Sequence, residues 1–138
     1  MFKAIETLAA GLSVARMRVN VLASNIANAE TTRTEEGGPY KKRLVSVLAR
    51  PFKDVLDEVT LAQPEVAGVI EDQSKPKMVY RPGHPDANEQ GYVEYPNINI
   101  VAEMTELMNA SKAYEAATAA IQSTKQLEER GASIAGRF

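Results

Sequence analysis

Ser24-Asn25-Ile26-Ala27-Asn28-Ala29-Glu30-Thr31 closes a stretch in which Ile5, Leu8, Leu12, Ala15, Val19, Leu22, Ile26 and Ala29 recur at alternating spacings of three and four. A period near 3.5 keeps one apolar stripe against one neighbour, the pattern of a helix supercoiled on a partner helix. The stripe runs into Asn25 and Asn28, three residues apart and so on one helical face. An asparagine amide competes for backbone groups, which suits it to a helix end or to a register mark between helices. A helix over residues 2–29 ending in these two amides is therefore expected.

Ala10, Val14, Met17 and Val21 form a second apolar stripe on the opposite side of the same helix. A helix apolar on two opposed sides needs two partners. The first stripe, with Ile5, Leu8, Leu12, Val19, Leu22 and Ile26, is expected to form an intramolecular seam. The second is expected to meet another subunit.

The partner for the seam lies at the other end of the chain. From Ile100 to Arg130 or beyond, Met104, Leu107, Met108, Tyr114, Ile121 and Leu127 supply large apolar residues, with Met104, Leu107, Tyr114 and Ile121 assigned to the seam. Ala110, Ala113, Ala117 and Ala120 add a flat face suited to near approach of a helix. Asn97 or Asn99, following Pro96, is the expected cap. The tail from Ala132 is expected to stay helical only if packed. Gly11, inside the first helix, costs roughly 0.5–1 kcal/mol relative to Ala unless close packing offsets it.

Between the helices the pattern changes. Thr31 to Pro39 is a loop of turn formers. Leu44, Val45, Val47 and Leu48 read as a strand closed by Pro51, Val66 to Ile70 as a second, and Met78 to Tyr80 as a third. Phe52, Val55, Leu56 and Val59 fit either a short amphipathic helix or a loop. Residues 81–97, rich in Pro, Gly and Asn, read as an extended arm with tight turns, pinned on the helices by Tyr92 and Tyr95. The fold class is mainly α with a small β-rich middle: long N- and C-terminal helices paired as a coiled coil, with a short β or extended insertion between them. Residues 1–30 and 98–138 make a discontinuous helical core, and 31–97 the middle region and arm.

Composition narrows the function. With 44% hydrophobic and 25% charged residues, the chain has globular values rather than those of a disordered one. A net charge of −2 argues against a nucleic-acid partner, which needs a basic face. Cysteine is absent, so disulfides and thiolate chemistry are excluded. No apolar run reaches the length of a membrane span. Leu8–Ala15 is as apolar as a signal-peptide core, but Glu6 before it and the unbroken heptad after it argue against cleavage.

His84 is the single histidine, without the nitrogen or sulfur co-ligands a zinc or iron site needs. His84-Pro85-Asp86 matches the tripeptide of J-domain co-chaperones, yet it lies among turn formers without flanking helices and reads as a turn. Glu35-Glu36, Asp57-Glu58 and Glu71-Asp72 are neighbours in polar surroundings and read as solvated faces. Lys41-Lys42-Arg43 reads as the dressing of a strand. No catalytic, cofactor or metal site is expected, and no enzyme.

Three stretches then carry a resemblance to the flagellar basal-body rod family, and within it to the short proximal-rod members. Ser24, Asn25, Asn28 and Thr31 match its N-terminal Asn box. Val79-Tyr80-Arg81-Pro82-Gly83-His84-Pro85-Asp86-Ala87-Asn88 with Gly91-Tyr92-Val93 resembles the proximal-rod linker. Pro96-Asn97-Ile98-Asn99, then Glu103-Met104 and Ala113-Tyr114-Glu115-Ala116, resemble the start of its C-terminal helix. Ala117 departs from the pattern, where relatives commonly carry Asn.

The resemblance implies an inner coiled coil stacked helically around a central channel, torque transmission across the periplasm, and uncleaved export by the flagellar type III apparatus. The implied partners are other rod proteins, the export-gate adaptor at the rod base and copies of the chain itself. A reading from another class is a soluble helical adaptor or secretion chaperone that binds one partner through the same seam.

Overall fold

The computed structural model describes residues 2–52 and 61–135. Helix α1 spans Phe2–Ala27 and helix α2 spans Ile100–Ala135. Between them lie strands β1 (Arg43–Phe52), β2 (Leu61–Glu71), β3 (Lys77–Tyr80) and β4 (Tyr92–Tyr95). They form two separate antiparallel pairs, β1 with β2 and β3 with β4. The mainly helical class with a small β-containing middle is what the sequence predicts.

The two helices pack side by side. Asn25, near the end of α1, is bonded to Glu103 in the first turn of α2, so the helices run back along one another. At about 1.5 Å per residue α2 is about 15 Å longer than α1. Its last turns therefore project beyond α1, and Leu127 and Ile134 there are exposed. The helix continues to Ala135 with Ile134 exposed, and the rest of the tail, 136–138, lies outside the described residues.

The β1–β2 hairpin corrects the expected role of the second stripe. Arg43 at one end of the hairpin bonds Asn25, and Gln63 near the other end donates to the Glu6 carbonyl. From Glu71, which pairs with Arg43, to Gln63 the strand covers about 27 Å, and from Asn25 to Glu6 the helix covers about the same. The hairpin therefore lies along α1, and both of its strands pack on that helix. Val14 and Val21, assigned to subunit contacts, are only 8% exposed within the single chain. Ala10 and Met17 are half-buried. A charge introduced at Val14 therefore acts on folding of the subunit before it acts on assembly.

Pro51 lies within β1 rather than closing it, and Pro64 lies within β2. In a two-stranded ribbon each strand is an edge, where a missing N–H on the open side leaves no ladder bond unmade. The two strands slip register between Ser46 and Val47, where a bulge increases the local twist. Of the ambiguous segment, Phe52 ends β1, while Val55, Leu56 and Val59 lie outside the described residues.

Tyr92–Tyr95 is a strand, not an irregular part of the arm. The turn that returns the chain needs Gly91, whose φ is +82° and whose absent Cβ would stand 2.8 Å from the Tyr80 ring. Both the left-handed backbone and the close approach exclude a side chain there. Tyr80 and Tyr92 stack edge to face on the open side of this pair, while Val93 is fully buried. Tyr95 receives the Arg81 guanidinium, so neither tyrosine pins the arm onto the helices.

Gly11 has no atom within 4 Å of where a Cβ would stand, so close packing does not explain it. Gly11→Ala is expected to stabilise the subunit by about 0.5–1 kcal/mol, seen as a higher urea midpoint with an unchanged slope.

Candidate functional site

Asn25 is completely buried. Its Nδ2 donates to the Arg43 carbonyl at 2.9 Å and to Glu103 Oε2 at 3.1 Å. Its Oδ1 accepts the Arg43 N–H at 2.9 Å and the Tyr40 hydroxyl at 3.1 Å. An amide has two donors and two acceptor lone pairs, and all four are used. Asn25 thus reads the backbone of β1 as a neighbouring strand would, and binds α2 with the hydrogen left over.

Glu103 is 2% exposed. Its second oxygen takes the Lys42 ammonium. The Tyr40 hydroxyl also meets Ser24 Oγ at 3.3 Å, and the Arg43 guanidinium lies over the Tyr40 ring. Segments distant in sequence therefore meet in one polar knot: the end of α1, the entry to β1, and the first turn of α2. Among the described residues no buried side-chain polar atom lacks a partner. A fully satisfied network of this kind rigidifies its surroundings, because any displaced member leaves a buried group unpaired.

The other amide of the box does local work. Asn28 Nδ2 donates to the Ser24 carbonyl at 2.9 Å, beside the bond that carbonyl already takes from the Asn28 N–H, and Oδ1 accepts from Thr31 Oγ1 at 3.2 Å. The loop that follows closes when Tyr40 N–H donates to the Thr31 carbonyl. On the far side, Asn99 caps α2, its Oδ1 accepting the N–H groups of Val101 and Ala102. Asn97 instead donates to Ser74 Oγ, and Pro96 is buried.

The seam residues are placed unevenly. Ile5, Leu8, Leu12, Val19, Leu22, Ile26, Leu107 and Ile121 are half-buried, and Tyr114 is just exposed. Met104 is 50% exposed and faces away from the seam. Glu103 holds the place expected of it. Spacings of four and three from Glu103 run through Leu107, Ala110, Tyr114, Ala117, Ile121 and Thr124, so the heptad was present in the sequence. It is hidden when a charged residue is assumed to face water. Tyr40 and Lys42 gave no such signal, since their role depends on where β1 enters.

No group of three or more His, Asp or Glu suited to a metal is found among the described residues, and no described helix is long and apolar enough to cross a membrane. The site is a buried polar junction of α1, β1 and α2.

A family model described as flagella basal body rod protein matches residues 5–33, and one described as flagellar basal body rod FlgEFG protein C-terminal matches residues 89–134. The FlgC flagellar basal-body rod protein of Borreliella burgdorferi is 38% identical, covering 92% of this chain and 92% of its own. That of Bacillus subtilis is 33% identical over 90% and 91%, and that of Aquifex aeolicus 35% over 94% and 93%. The chain belongs to the FlgC family of flagellar basal-body rod proteins, structural subunits of the flagellar rod and not enzymes.

Proposed function

We propose that α1 and α2 act as a coiled-coil wall element, which stacks helically with copies of itself and with other rod proteins around the export channel. The observation that carries this reading is the buried Asn25–Glu103 bond with its Lys42 and Tyr40 partners. A shaft that transmits torque must not let its helices slide, and fixing the register between helices is the best-attested use of a buried polar group. Ile5, Leu8, Leu12, Val19, Leu22 and Ile26, half-buried by the chain itself, keep part of their apolar surface for neighbouring subunits. The exposed Val101, Met104 and Met108 on α2 offer a second assembly face.

In this reading the subunit is exported uncleaved by the flagellar type III apparatus, lies in the rod that crosses the periplasm, and meets the export-gate adaptor at the rod base. In-frame deletion of the gene is the test. The expected outcome is non-swimming cells whose isolated basal bodies show membrane rings without rod, hook or filament. Normal swimming with intact basal bodies would overturn the reading.

A further inference from the structure

The two β pairs are attached to the chain in different ways. While β1 and β2 lie on α1, the backbone of β3 and β4 comes within 8 Å of no other helix or strand among the described residues. This arm is held through loops. Among the described residues, the side-chain bonds joining it to the loop after α1 both end on Asp86. Thr32 Oγ1 donates to Oδ2 at 2.8 Å, and Arg33 Nε lies 3.2 Å from Oδ1.

The turn around Asp86 is built to aim this carboxylate. The Asp86 N–H donates to His84 Nδ1 at 3.1 Å, His84 N–H donates to the Arg81 carbonyl, and Ala87 N–H to the His84 carbonyl. Pro85 restricts the backbone between them. The carboxylate is largely covered while Arg33 is mostly exposed, at 20% and 79%. An ionised acceptor held by a hydroxyl and a guanidinium makes bonds stronger and more directional than neutral ones.

We propose that Asp86 is a positioning residue that latches the arm to the helical body. The latch aims the exposed Met78, Tyr80 and Tyr92 face, and the His84-Pro85-Asp86 turn is the device that presents the carboxylate. Met and Tyr are residue types enriched at protein interfaces, so the pose of this face decides what a neighbouring subunit meets. Only that last consequence rests on the rod-subunit reading.

The chain has no cysteine, so two introduced cysteines can be spin-labelled without background. Gln90→Cys on the arm and Ala23→Cys on the outer side of α1 both lie at exposed positions. In the full chain the inter-label distance distribution is expected to be narrow. With Asp86→Ala it is expected to broaden at least twofold, while helical circular dichroism and the unfolding midpoint stay at the parent value. Thr32→Ala should broaden it partially. Arg33→Asp combined with Asp86→Arg should be narrower than Asp86→Arg alone. An unchanged distribution in Asp86→Ala overturns the latch. So does broadening accompanied by loss of helical signal, because Asp86 would then support the whole fold. Neither readout involves the deletion phenotype, which tests the rod reading by itself.

Discussion

Asn25→Leu is expected to lower the stability of the subunit by about 3–5 kcal/mol, a large share of the roughly 5–15 kcal/mol that a domain possesses. Leucine has the branched shape of asparagine and a somewhat larger volume, so the effect does not come from a cavity. It comes from the groups left behind. The Arg43 N–H and C=O each lose their amide partner inside the protein, as do Glu103 Oε2 and the Tyr40 hydroxyl. A buried polar group left unpaired costs about 1–3 kcal/mol, and the added apolar surface of leucine offsets part of the sum. Asn25→Asp is a sharper comparison. It keeps the two acceptor bonds but removes both donors and sets a second carboxylate against Glu103.

Asn28→Ala supplies the control. Its amide is half-buried and bonds only within its own helix end and to Thr31, so its loss is expected to cost about 0.5–1.5 kcal/mol. Urea denaturation of the variants measures the ranking. Equal losses at the two asparagines would show that the knot contributes no more than an ordinary helix end, and the register argument would fall.

That ranking separates what was legible in the sequence from what was not. The helices were legible because a 3.6-residue period is local. The end of α1 at the asparagine box and the cap at Asn99 were legible for the same reason. The difference between Asn25 and Asn28 was not. Both are amides on one helical face, and only the strand arriving from Arg43 makes one of them a hub. The second stripe of α1 was correctly seen as needing a partner. Its partner was misplaced because the apolar positions of β1 give no direction for the hairpin, which is seen to lie alongside only from the bonds that hold its two ends to Asn25 and Glu6. β4 escaped notice because four residues between turn formers carry too short a pattern. The first seam position of α2 was read one residue late, at Met104, because Glu103 was taken for surface, while Leu107, Tyr114 and Ile121 keep the same register.

That misreading leads to the second large effect. Lys42→Met is expected to destabilise the subunit by about 3–5 kcal/mol, whereas Glu103→Gln is expected to cost only about 1–2 kcal/mol. The asymmetry follows from burial. Lys42 keeps 26% of its side chain exposed, and Glu103 only 3%. Without Lys42, a carboxylate remains in the interior with the Asn25 amide as its remaining side-chain partner. In Glu103→Gln, the neutral amide can still accept from Asn25, while the freed ammonium turns along its stem into water. The double variant Lys42→Met, Glu103→Gln removes both charges, so its loss should fall below that of Lys42→Met alone. A double-mutant cycle in urea should then give a coupling of about 2–3 kcal/mol. If Glu103→Gln proves as costly as Lys42→Met, the carboxylate itself is what the Asn25 knot requires. In that case, removing both charges should not recover stability.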